Sequence, residues 1–224
     1  DADGRVLAAD LIARLDSPPH DNSAMDGFAL HLADLSPSQS TRLPVIGQAL
    51  AGHPWLHPVP AGAAVRITTG GWIPAGPDAV IMQEQCRLVP DQRWIEIEPQ
   101  VAARLKSGEN IRRRGEDVQA GAVLLTGGMR LRPQDIALAA GQGIARLPVI
   151  RRLRVAVAST GDELCEPGID LPPGAIYESN RYNLLGLVRR LGCAATDLGI
   201  LRDERASLLP ALRETAAGHD VLLT

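Results

Sequence analysis

The sequence predicts an α/β and β multidomain protein: a β-rich first part, then a doubly wound parallel α/β domain. Three observations predict it. Up to about Leu147, short apolar stretches alternate with frequent Gly and Pro, the texture of short strands joined by tight turns. From about Arg151 the segments lengthen and run strand, helix, strand, helix, strand, an order that implies a parallel sheet with right-handed crossovers. The 224 residues, 45% hydrophobic and 22% charged, suffice for two ordinary globular domains.

In the first part, "LPVIGQALAG", "AGAAVRITTGGWIP", "DAVIMQEQCRLV" and "RWIEIEPQV" each read as a strand of about five residues between turn formers. "IEIE" alternates with the period of a half-exposed strand. "AGAAVRITTGG" (61–71) and "AGAVLLTGG" (120–128) resemble each other but recur at no fixed period, so they are similar β-turn units and not a repeat array. "RPQDIALAAGQG" (132–143) is a short helix after Pro133, ended by Gly141.

In the second part, "RLRVAVAST" has the apolar run of a strand buried on both faces. "SNRYNLLGLVRRLGC" is a helix with Ser179 or Asn180 as its N-cap. Leu184, Leu185, Val188 and Leu191 fall on one side of it, and Gly192 is its stop. "AATDLGIL" is the next strand and "DERASLLPALRETAAG" the next helix. In that helix either Ser207 is the cap, leaving Pro210 in the tolerated first turn, or Pro210 kinks it. "DVLLT" is the third strand. Aromatics are only 3%, so the core must be built from Leu, Val, Ile and Ala.

Composition excludes several classes of function. A net charge of −3 argues against broad nucleic-acid or membrane-surface binding. Cys86, Cys165 and Cys193 are widely spaced with no CxxC pair, which fits reduced, mostly buried thiols better than disulfides or a zinc knuckle. No run approaches the ~18 apolar residues of a membrane span, and no signal-peptide pattern opens the chain, so the cytoplasm is the expected compartment. The chain opens "DADGRVLAAD" without Met and stops at "DVLLT", a strand cut before its turn, which reads as a fragment of something longer.

The topology locates the chemistry. Open parallel sheets bind ligands beyond the carboxyl ends of their strands. The first strand ends in Ser159-Thr160-Gly161 followed by Asp162 and Glu163, and the second runs into Arg202-Asp203. Acids placed there suit Mg²⁺, which takes one or two carboxylates and leaves its other positions to water and phosphate oxygens. The competing explanation is local: Asp203 caps its helix and Asp162 closes a Gly turn.

Four other stretches carry candidate chemistry. In "GENIRRRGEDV" (108–118), Arg112 and Arg114 share a strand face and offer guanidinium forks to an oxyanion, unless the run is a solvated hairpin with self-paired charges. "VRITTGGWIPAG" (65–76) offers Thr hydroxyls and close backbone approach, although threonines are also ordinary strand residues. His53 and His57 have helical metal spacing, but Pro54 and Pro58 make a surface loop the better reading. "PPHDNSAMDGFA" (18–29) reads by local physics as a polar turn, with Asp26-Gly27 as a hairpin signal.

Taken together, "DNSAMDGFAL", "VRITTGGWIPAGPDAVIMQE", "SGENIRRRGEDVQAGAVLL", "GIARLPVIRRLRVAVASTGDEL", "IYESNRYNLLGLVRRLGC" and "LGILRDE" closely resemble the molybdopterin molybdenumtransferases, the family that includes the C-terminal domain of gephyrin. The resemblance implies Mg²⁺-dependent insertion of molybdate into adenylylated molybdopterin, with release of AMP. It implies an elongated linking domain at 1–13 and 122–149, the β-rich domain at 14–121, and a truncated molybdopterin-adenylyltransferase-like α/β domain at 150–224. The family pattern matches its important positions to Asp26, Thr69, Glu163 and Asp203, the expected catalytic set, and from their placement Glu163 and Asp203, together with Asp162, are expected to hold Mg²⁺. Ser23, Arg112, Arg114, Asp117, Ser159, Thr160, Gly161 and Asn180 are then expected to bind substrate. Trp72, after Gly71, departs from the small residues that relatives tend to carry there, and is expected to reshape the rim of the pocket. The implied assembly is a homodimer in which Asp26 and Thr69 of one chain face Glu163 and Asp203 of the other. A molybdopterin adenylyltransferase and molybdoenzyme chaperones are the implied partners, with neither nucleic acid nor membrane. The alternatives are a non-catalytic scaffold of gephyrin type and an adenylyltransferase.

Overall fold

The computed structural model describes residues 2–89 and 93–224; residue 1, the first of the expected linking segment, lies outside them. The chain divides into two compact units. One comprises Asp1–Asp10, Leu125–Ala140 and Ile144–Thr224, the other Leu11–Leu124 and Gly141–Gly143.

In the second of these units, β1 (Leu11–Ile12) and β2 (Asn22–Ser23) precede a six-stranded sheet. Its strands are β3 (Gly27–Leu30), β4 (Thr41–Ala49), β5 (Ala64–Ile67), β6 (Ala79–Met82), β7 (Arg87–Leu88) and β8 (Trp94–Ile97), in the order β6-β3-β5-β4-β8-β7. β4 and β5 run parallel, and the other neighbours antiparallel. A short helix α1 (Pro99–Ala102), β9 (Ile111–Arg112) and β10 (Val123–Leu125) follow along the chain.

β3 is buried on both faces because successive side chains alternate across a strand. Phe28 and Leu30 pack with Leu43, Ile81, Ile95 and Ile97, while Ala29 packs with Val65, Ile67 and Val80. β8 alternates as its "IEIE" pattern requires: Ile95 and Ile97 are buried and Trp94 is exposed. β4 is nine residues long, nearly twice the expected length, with a register shift between Val45 and Gly47. The Asp26-Gly27 hairpin is a correction. Gly27 opens β3 between Ile67 and Met82, and a Cβ there would lie 1.9 Å from the Ile81 carbonyl oxygen. The glycine serves a close strand approach, not a turn.

The other unit contains α2 (Pro133–Gly141), β11 (Arg154–Thr160), β12 (Leu164–Cys165), β13 (Ile176–Tyr177), α3 (Asn180–Arg190), β14 (Ala194–Leu201), α4 (Arg205–Gly218) and β15 (Val221–Leu223). β11 is the central strand of a parallel sheet ordered β14-β11-β15, as the strand-helix alternation implies. α3 lays Leu185 and Val188 against Val155 and Val157. Leu191 leaves the expected apolar stripe and is exposed, because the helix ends at Arg190 and the chain turns through Gly192. α4 begins at Arg205, so Ser207 lies inside it and is not its cap, and Pro210 falls in the helix interior. Among the described residues no helix is long and apolar enough to cross a membrane.

Candidate functional site

In the β-rich unit, the loop from His20 to Asp26 is zipped to the turn at Thr68–Ile73. The Ile73 amide donates to the Asp21 carbonyl at 3.0 Å, the Ser23 amide to Gly71 at 2.9 Å, and the Gly70 amide to Ser23 at 2.8 Å. At one end of this ladder the Asp26 carboxylate accepts from both the Thr69 amide (2.7 Å) and the Thr69 hydroxyl (2.9 Å). The amide, then the hydroxyl, and finally the positive charge of Arg66 hold Asp26 below the ordinary carboxylate range despite some desolvation. Both residues are exposed, so the pair presents a fixed anion and a hydroxyl oriented by it. At the other end, the His20 and Trp72 rings stack at 4.6 Å with 25° between their planes.

Ser23 has no hydroxyl to spare for a ligand. It is 1% exposed, and its Oγ donates to the Met25 carbonyl at 2.6 Å, so it shapes the loop. The arginine run resolves toward its self-paired reading. Arg112 binds Asp117 at 2.6 Å and Arg113 binds Asp21 at 2.6 Å, while Arg114 binds Asp16. Arg112 and Arg114 therefore do not form a free fork, and Asp117 is engaged with Arg112. His53 and His57 lie in an exposed loop, and among the described residues no three His, Cys, Asp or Glu side chains come together to hold a metal.

In the α/β unit a cavity of about 450 Å³ opens where β11 and β15 end, lined by Ser159, Thr160, Glu163, Glu178, Asn180 and Thr224 among others. The order β14-β11-β15 puts the reversal of strand order between β11 and β15, the place where such sheets bind ligands. Ser159, Thr160, Glu163 and Asn180, which the family resemblance singled out, all line this cavity. Glu163 is exposed, and its carboxylate folds back over Gly161: a Cβ at residue 161 (φ +153°) would lie 2.7 Å from Oε2. Asp162, although adjacent, lines a separate hollow with Glu166, Ile200 and Arg202, and exposed Asp203 lines neither. The three acids Asp162, Glu163 and Asp203 do not converge as one metal set: the turn from Gly161 to Leu164 sends Asp162 and Glu163 into different hollows, and Asp203 follows another strand.

The sequence reading missed Glu178. It is 4% exposed, and the Arg181 amide donates to its carboxylate at 2.8 Å. Burial raises its pKa, but the Ser159 hydroxyl and the Arg181 and Asn180 amides together outweigh burial, and it lies below the ordinary value. Ser179 is the N-cap residue of α3, one of the two expected, but its side chain makes no capping bond; the Glu178 carboxylate supplies one instead. Its carboxylate takes the helix-end amides that would otherwise be open to a phosphate. Buried Arg181 was missed as well. It reaches Glu166 and Asp197, and Tyr182 donates to the same Glu166 at 2.7 Å, tying α3 to β14 and to the strand-end loop. An Arg on a polar helix gives no sign of burial; only the acids opposite it reveal that.

Residues 1–143 match the model described as the MoeA N-terminal region (domain I and II), and residues 156–224 match a probable molybdopterin binding domain. The molybdopterin molybdenumtransferase of Haemophilus influenzae is 43% identical over 224 residues, covering all of this chain and 54% of its own length. Molybdopterin molybdenumtransferase 2 of Mycobacterium tuberculosis is 39% identical, again over all of this chain and 54% of itself. The crystal structure of the molybdopterin biosynthesis moeA protein of Pyrococcus horikoshii superposes with a TM-score of 0.86 at 34% identity, covering 99% of this chain and 58% of that one. The chain spans about half the length of the curated relatives it matches.

Proposed function

The chain belongs to the MoeA family, and from that premise we propose that it takes part in molybdenum cofactor biosynthesis, inserting molybdate into adenylylated molybdopterin with release of AMP. The observation that carries this reading is the cavity at the β11/β15 switch point, which combines hydroxyls, an amide side chain and the exposed Glu163 carboxylate in space for a phosphate-bearing ligand.

Within that reading, Ser159, Thr160 and Asn180 orient the ligand by hydrogen bonds, and Glu178 holds Ser159 and the start of α3 in place. Glu163 offers one exposed hard oxygen ligand in the cavity. That fits Mg²⁺, which is satisfied by one carboxylate together with phosphate oxygens and water. When bound, Mg²⁺ neutralises charge on the substrate phosphate. Asp26 and Thr69 supply a carboxylate and an oriented hydroxyl, which position the reacting oxygens. The reading takes the protein as a cytoplasmic homodimer in which the Asp26–Thr69 loop of one copy faces the switch-point cavity of the other. A molybdopterin adenylyltransferase supplies its substrate, and molybdoenzyme chaperones receive its product.

The test is AMP release by the intact protein from adenylylated molybdopterin with molybdate and Mg²⁺. Glu163→Gln and Asp26→Asn are each expected to slow it about 10²-fold, the scale of losing one electrostatic or orienting group. A variant that turns over at the wild-type rate removes that residue from the mechanism. Asp203→Asn is expected to have a smaller effect, since its side chain is exposed and outside the cavity.

A further inference from the structure

Trp72 is 44% exposed, in a chain with three tryptophans and one phenylalanine. It is not part of the hydrophobic core: its neighbour Ile73 packs into the cluster of Ala29, Val65 and Val80, and the indole stays outside. Exposure alone does not mark a site, since Trp94 is as exposed (45%); what sets Trp72 apart is its aromatic partner. Among the described residues its aromatic neighbour is His20, stacked nearly parallel at 4.6 Å, so the two flat rings form a stack at the surface.

That stack is rigidly mounted. Trp72 forms a β-bridge with Asn22, and the Ile73 amide fixes Asp21 next to His20. The same ladder of hydrogen bonds carries Asp26 on Thr69 at its far end. Thr69 and Trp72 are three residues apart, so their Cα atoms are separated by no more than about 10 Å. A planar ring on the stack and a phosphate or reacting oxygen at Asp26–Thr69 therefore lie within the span of one nucleotide-sized ligand.

We propose that the His20–Trp72 stack is a docking platform for a planar fused nitrogen heterocycle of the substrate. This inference rests on the reading of adenylylated molybdopterin as the substrate, which carries such a ring in both its pterin and its adenylyl parts. The stack supplies a π-face without hydrogen-bond readout, a mode that tolerates either ring, so the experiment must separate them.

Binding of AMP and of neopterin to the intact protein is measured by titration calorimetry in separate arms, for the wild type, Trp72→Ala and Trp72→Phe. One of the two rings is expected to bind about tenfold more weakly to Trp72→Ala, with Trp72→Phe within about threefold of wild type, in line with the worth of one base–aromatic stack. Equal binding of both rings by wild type and Trp72→Ala overturns the platform, and so does failure of the wild type to bind either ring. AMP release measured on the same proteins separates the two claims. Turnover that is normal in Trp72→Ala, with KM and kcat unchanged, removes the platform and leaves the reaction standing. Trp72-dependent ring binding in a protein that releases no AMP removes the reaction and keeps the platform. With both intact, Trp72→Ala raises KM about tenfold at an unchanged kcat.

Discussion

Glu178 shows how one side chain can serve packing and site at once. Its buried carboxylate accepts from the Arg181 amide, and Ser159, a cavity residue, and the Asn180 amide help to favour its charged form. Its ionised form is favoured in the folded protein, so its pKa there lies below the ordinary 4.5. Between those two values the unfolded chain binds more protons than the folded one, so stability rises with pH through that window. The contribution is complete above the ordinary value and is lost as pH falls through the lower, folded one. Glu178→Gln should therefore cost about 1–3 kcal/mol at pH 7, and progressively less in acid, as measured by urea unfolding at pH 7 and pH 3. A difference independent of pH would mean that the shape of the side chain matters and its charge does not. Sequence patterns hid this role because capping preferences direct attention to Ser179 and Asn180, one and two positions further on.

At the scale of elements, strands and helices were legible wherever burial sets the period. "IEIE" in β8 and the run in β11 fold as their patterns require, and "RPQDIALAAG" begins at Pro133 and ends at Gly141. What escaped was decided by neighbours distant in sequence. Gly27 looked like a turn residue, but its place in β3 is dictated by the Ile81 carbonyl across the ladder. The arginine run resembled an anion fork until Asp16, Asp21 and Asp117 claimed its members. In α4 the sequence left two places open for Pro210, and it sits six residues into a helix of 14. A proline there removes one main-chain hydrogen bond and crowds the carbonyl four residues before it. Pro210→Ala should stabilise the protein by about 1–3 kcal/mol, seen as a higher midpoint in urea. A fall in stability would show that the proline ring packs in a way that outweighs its cost to the helix.

For the whole molecule, the two candidate surfaces belong to different compact units: Asp26–Thr69 with its aromatic stack in one, and the switch-point cavity with Glu163 in the other. The strand-order rule alone located the cavity, since it depends only on the alternation of elements that the sequence displays. Nothing in the order of the chain says which copy of one surface works with which copy of the other. The proposed homodimer makes a specific claim here, because its sites draw on both chains. Asp26→Asn and Glu163→Gln should each be nearly inactive alone. Mixed, unfolded and refolded together in equal amounts, half of the dimers carry one of each chain. In such a dimer one site collects both changes and the other collects neither, so AMP release should return to about a quarter of the wild-type rate under statistical pairing. Sites built within a single chain cannot recover in this way, because every site would keep one of the two lesions. Recovery after mixing therefore supports sites shared between chains, and its absence, with heterodimers confirmed by mass, would place each site within one chain.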